Sequence, residues 1–342
     1  MQSDAFIGRA GKPVPPLLGL GPSTPVTVAD VASHELSRRG ATLLDKRELD
    51  TSFTFGKGGE SIFSVARNTG FTAIQNSIEE AQGPSHFETQ TGFAVYGREL
   101  AEAIPSKGIR TQILTREPGV GKPRLVRVDP TAVPGSVALQ FTDGTGTVIA
   151  ALPGYIGTVL VDGQGVSSIA YVPSRNTSRW EARKQDLGEL RAAAAAAARF
   201  NVFRIEGDRD VRAKRAEELT AKIRNGFDPS LALYAAYAYA DANLIEQLRS
   251  LHLLTRNDLK RDLFDIAMVS GALSGTRADY VSGPVPFCPM LSRGWALLRA
   301  KDVRLLPEVE AARDHLRPAL WTTFDSNGMS IVRKVLLSGM AQ

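Results

Sequence analysis

The chain predicts an α+β fold: an antiparallel β-sandwich-like module over 85–174, followed by an α-helical module over 175–342. Three features carry that prediction. Gly-rich and β-branched segments run from Gly92 to Pro173, with turn dipeptides between them. Beyond residue 174 the character changes to Ala-rich stretches, opening with the run from Ala192 to Ala198. Asp228-Pro229 then sets a helix-capping side chain beside a first-turn proline, a pairing that opens helices. At 342 residues the chain exceeds the usual size of a single core, so two domains are the default.

Residues 1–25 contain Pro13-Val14-Pro15-Pro16 and Gly21-Pro22, which cannot sustain a helix or a central strand and read as a flexible arm. Region 26–84 reads as short helices around a mobile loop, Phe55-Gly56-Lys57-Gly58-Gly59. Thr72 and Gln75 stand in capping-box spacing, and Gly83-Pro84 ends the helix they start.

Strand signals follow at Gly92 to Tyr96, Ile109 to Leu114 and Leu125 to Val128. Val137, Leu139 and Phe141 alternate with smaller residues, and Asp143-Gly144 reverses the chain into Thr147 to Leu152. Pro153-Gly154 turns it into Tyr155 to Val161, and Asp162-Gly163 turns it into Val166 to Val172. Turns this short predict antiparallel neighbours at each step.

The helical half begins with a candidate over 178–200. An extended piece follows at 201–205, then a helix from Asp208 to Asn225 that stops at Gly226. Further helices are predicted over Leu231 to Ala240, Leu244 to Leu254, Leu259 to Ala272, Pro289 to Ala300, Pro307 to Leu316 and Met329 to Met340. Short connections favour antiparallel helix pairs with the look of a repeat array, although no strict period runs through them.

Composition narrows function by exclusion. The net charge of +5 comes from basic residues interleaved with acidic ones, as in Arg209-Asp210-Val211-Arg212, a pattern of solvated helix faces and not of a nucleic-acid footprint. No apolar run is long enough to span a membrane, and Met1-Gln2-Ser3-Asp4 lacks the basic head of a signal peptide. A single cysteine, Cys288, leaves no disulfide framework, so cytoplasmic residence is the expectation.

Catalytic motifs are wanting. Arg116 to Pro123 imitates a phosphate-binding loop, but Arg116 replaces its first glycine and Pro123 its hydroxyl residue. Cys288 with His86, His252 or His315 would make a thiol dyad, yet its neighbours Phe287 and Pro289 suit a buried small hydrophobe better. No Gly-x-Ser-x-Gly elbow and no metal-ligand spacing occurs. No catalytic, cofactor-binding or metal-binding residue is therefore assigned.

Arg175 and Trp180 are the candidate interaction residues, at the junction of the two modules, where such side chains anchor partners. Trp180 wedging the first helix against the sheet is the plainer alternative. Tyr234 and Tyr237, three apart in an almost wholly apolar helix, read as core.

The strand-and-turn block from Leu152 to Asn176, followed by the Asp228-Pro229 helix, resembles regions that accompany caspase-like and trypsin-like peptidases in bacterial stress and defence proteins. The resemblance covers about Phe87 to Met340 and includes no catalytic motif. It implies a protein partner, a caspase-like or trypsin-like protease, with this chain as its regulator, adaptor or cleavable substrate. The alternative reading is a hydrolase of unrecognised class with its site between the two modules.

Overall fold

The computed structural model describes residues 88–114, 123–129, 133–175, 177–182, 194, 205, 207–275 and 283–340. The arm over 1–25, the helices and loop over 26–84, the loop over 116–122, most of the helix over 178–200 and nearly all of 201–205 lie outside the described residues. The fold is α+β, with the strands preceding the helices.

Eight strands form two sheets. They are β1 (Gly92–Tyr96), β2 (Leu100–Pro105), β3 (Thr111–Leu114), β4 (Arg124–Val128), β5 (Gly135–Phe141), β6 (Gly146–Ala151), β7 (Tyr155–Val161) and β8 (Val166–Pro173). One sheet has the order β3-β4-β1-β7-β8, the other β2-β5-β6. The two acidic turns behave as the sequence predicts. Asp143 Oδ1 accepts from Thr145 N at 3.1 Å and closes the antiparallel β5–β6 hairpin. Asp162 Oδ1 accepts from Gln164 N at 2.8 Å and closes β7–β8, as short acidic side chains do in turns. Arg98 ties the turns together, donating to Asp143 and, at 2.8 Å, to the Asp162 carbonyl.

Two expectations about the strands are corrected. The Pro153-Gly154 turn does not make β6 and β7 antiparallel neighbours; it carries the chain from the three-stranded sheet to the five-stranded one. Nor is the larger sheet wholly antiparallel, because β7 returns beside β1 and runs parallel to it. The intervening strands supply the long crossover that a parallel pair requires.

Helices follow: α1 (Ser178–Ala182), α2 (Arg209–Asn225), α3 (Pro229–Asp241), α4 (Ile245–Leu259), α5 (Phe264–Val269), α6 (Ser292–Leu297), α7 (Pro307–Ala311) and α8 (Ser326–Leu337), with a 3₁₀ turn at Ala312–His315. Asp208 caps α2 and Asp228 caps α3, each accepting at 2.9 Å from the backbone N–H three residues on. The helix expected from Leu259 to Ala272 is shorter and starts later. Lys260 takes a left-handed φ of 59°, and the backbone around Asp262 and Phe264 pairs instead with Val285. Tertiary pairing overrides local helix propensity there.

One hydrophobic cluster runs through strands and helices alike, from Phe93 and Tyr171 to Tyr237, Trp295 and Phe324. Segment 321–324 is its seam. Gly146 and Phe324 exchange backbone hydrogen bonds at the edge of β6. At the edge of β8, Val166 N donates to Thr323 Oγ1 at 3.0 Å. Both sheets thereby gain a cover for an edge that would otherwise be open to pairing. Gly165 makes the approach possible: its φ is +144°, and a Cβ there would sit 2.8 Å from Thr323 Oγ1.

Candidate functional site

Ionisable and aromatic side chains converge in two places. The first is the junction where β8 ends. Pro173 closes the strand, and Ser174 N donates to the Gly154 carbonyl at 2.8 Å, so the outgoing chain lies against the turn that starts β7. Thr177 then accepts from Trp180 N at 3.3 Å through its hydroxyl, the bond of a helix N-cap, and α1 begins.

Three side chains stand out on this corner. Arg175 is exposed and lays its guanidinium over the half-buried Trp180 ring, 5.6 Å from the centroid. Arg179 turns inward, 5.2 Å over the Tyr155 ring. It donates to the Asp258 carboxylate and, at 2.7 Å, to the Asp258 carbonyl at the end of α4, and Nη1 reaches Tyr155 Oη at 3.2 Å. Burial pushes the Tyr155 phenol well above its ordinary value, against the opposing pull of Arg179. Tyr155 therefore stays a neutral partner at physiological pH. At this corner Arg175 is exposed and Trp180 half-buried beneath it.

The second place is buried beneath α3 and α5. Asp265 is fully enclosed. Its Oδ1 accepts from Tyr237 Oη at 2.6 Å and from Leu291 N at 3.3 Å, and its Oδ2 accepts from Met290 N at 2.7 Å. Burial raises its pKa to about 6, while these donors hold it down. Arg293 lies 6.0 Å over the Tyr237 ring and forms a bidentate pair with Asp241 at 2.6 and 2.7 Å. Gly294 closes the space, because a Cβ there would meet Tyr237 Oη at 2.5 Å and Pro289 Cβ at 2.7 Å. Each carboxylate oxygen of Asp265 has a protein donor, so the group ties α3 and α5 to the segment that opens α6.

The thiol dyad does not assemble among the described residues. Cys288 is enclosed, and burial together with nearby Asp265 drives its pKa well above the ordinary thiol value, the opposite of an activated nucleophile. His252 pairs with Asp262 at 2.7 Å and His315 with Asp325 at 3.2 Å; His86 lies outside the described residues. No group of three or more His, Cys, Asp or Glu side chains is placed to hold a metal ion among the described residues. No helix there is long and apolar enough to cross a membrane.

Tyr234, Tyr237 and Tyr239 are all buried. Tyr239, on another side of α3 from the first two, donates to the Ala216 carbonyl of α2 at 2.7 Å. Sequence reasoning did not single out Arg179, Asp258 or Asp265. Asp265 had a visible signal, an acidic residue inside the apolar run from Leu263 to Val269. The Arg179–Asp258 pair had none, since 79 positions separate its members.

Comparison of the chain with protein-family models, with curated proteins and with solved structures finds no match.

Proposed function

We propose that this chain is a non-enzymatic protein-interaction module whose anchor is Arg175 with Trp180. The observation that carries the reading is the contrast at one corner: Arg179 is spent on Tyr155 and Asp258, while Arg175 beside it stays exposed and stacked on an indole. Arg and Trp are the side chains that dominate binding energy in protein interfaces, and a pre-stacked pair loses less freedom on docking. In this reading the partner is a peptidase of the caspase-like or trypsin-like kind in a bacterial stress or defence system. The chain acts as its regulator, adaptor or cleavable substrate.

Photo-crosslinking tests the reading. A benzophenone amino acid replaces Ser178, an exposed neighbour of the anchor, in the full chain, expressed in its native cells, and the adducts are identified by mass spectrometry. A predominant peptidase adduct that disappears in the Trp180→Ala background supports the reading. An adduct with a protein of another class overturns the peptidase assignment, and no protein adduct at all overturns the interaction module.

A further inference from the structure

On α4 the side turned away from the core carries an unbalanced charge. Leu248, Leu251, Thr255 and Leu259 are buried. Arg249, Leu253 and Arg256 recur on the outer side at i, i+4 and i+7, and exposed Lys260 follows at the helix end. Leu253 is 56% exposed and the Arg256 side chain 60%. Arg249 and Lys260 make no ion pair among the described residues, and Arg256 has one long contact, 3.8 Å to Asp262. Against these cations stand Glu246 and, at the helix end, Asp262; Asp258 faces the other flank, where Arg179 holds it. The exposed residues of α2 differ, because Arg209, Lys214 and Arg224 are matched by Asp210, Glu217 and Glu218, as in a solvated face.

We infer that this side of α4 is a second docking surface, which takes an acidic amphipathic segment of a protein partner. Charge complementarity fixes the class of partner. Arg249 and Arg256 stand two turns apart, about 10 Å along the helix, so an acidic helix with carboxylates at the same spacing meets both. A leucine this exposed, set among cations, calls for an apolar side chain between those carboxylates, which a nucleic-acid backbone does not offer. The proposal rests on the interaction reading but uses neither Arg175 nor Trp180.

The test is fluorescence anisotropy with the full chain and three probes. They are a helical peptide with Glu and Leu at heptad spacing, the same peptide with Ser in place of Leu, and a single-stranded oligonucleotide of equal charge. The Glu-Leu peptide should bind best and weaken as salt rises. Arg249→Glu/Arg256→Glu should cost about tenfold in affinity, Arg249→Ala/Arg256→Ala less, and Leu253→Ser about threefold. These side chains are exposed, so thermal midpoints should stay within a degree or two of the parent, roughly what small surface changes produce. Equal affinity in parent and charge-reversed chains, or equal binding of the leucine-free peptide, overturns the surface. Tighter binding of the oligonucleotide replaces the protein partner with nucleic acid and overturns it too. If the α4 surface fails while the crosslink at position 178 persists, this inference alone falls; loss of both removes the interaction reading itself.

Discussion

Tyr155 and Tyr237 sit in clusters of similar composition that differ by one enclosed carboxylate. Each ring lies under an arginine, Arg179 at 5.2 Å and Arg293 at 6.0 Å, and each arginine pairs with an aspartate, Asp258 or Asp241. Both ion pairs are about a third exposed, and the worth of each is small. Beneath Tyr237 a further carboxylate, Asp265, is sealed in with no cation touching it and is held by one hydroxyl and two backbone donors. Burial therefore turns one cluster into a support of the core and leaves the other as a frame for surface chemistry. Mutational cost should follow burial and not the residue types involved.

The largest effect belongs to Asp265→Ala. It removes the carboxylate that accepts from the Tyr237 hydroxyl and from two enclosed backbone N–H groups, and the loss in unfolding free energy should be about 3 kcal/mol. Chemical denaturation measures it, and a loss no larger than that of Arg179→Ala would break the comparison. Gly294→Ala comes next at about 2 kcal/mol, because overpacking against Tyr237 Oη and Pro289 outweighs the gain in helix propensity. An unchanged midpoint would mean that the cluster is looser than its geometry.

The pH response sharpens the same contrast. The folded-state pKa of Asp265, about 6, lies above its ordinary value of 3.8. Between those values the native state keeps a proton that the unfolded chain has released. The contribution of Asp265 to stability is thus fully present below about pH 4 and falls as pH rises toward 6. Asp265→Asn should flatten that part of the stability profile; an unaltered slope assigns it to another group. Arg179→Ala should cost only about 1 kcal/mol, from a partly exposed ion pair and one cation–π contact. Arg175→Ala should cost least, within about 0.5 kcal/mol.

What could be read from the sequence was local. Asp143-Gly144 and Asp162-Gly163 mark hairpins, and Asp208 and Asp228 mark helix starts, because a short carboxylate satisfies a nearby backbone donor whatever lies elsewhere. Non-local pairing was not legible. Nothing near β1 announces β7 as its parallel neighbour, and Pro153-Gly154 turns the chain equally well within a sheet or between two. α4 runs to Leu259, past the expected end at Leu254, and Lys260 interrupts the helix expected from Leu259, since Val285 captures the backbone beyond it. Of the candidate site, Arg175 and Trp180 were singled out from residue type and position, and the fold brings the two together. Arg179, which fixes the corner beneath them, needed the fold to bring Asp258 within reach.

The central claim is that Arg175 with Trp180 serves binding while the Asp265 cluster serves folding. Crosslinking yield and thermal midpoint, measured on the same preparations, test it directly. With the photoreactive residue at the exposed position Ser178, Arg175→Ala/Trp180→Ala should keep the parent midpoint and lose the partner adduct. Asp265→Asn should lower the midpoint and, below its own transition, retain the adduct. An Arg175→Ala/Trp180→Ala chain that crosslinks as well as the parent would contradict the account.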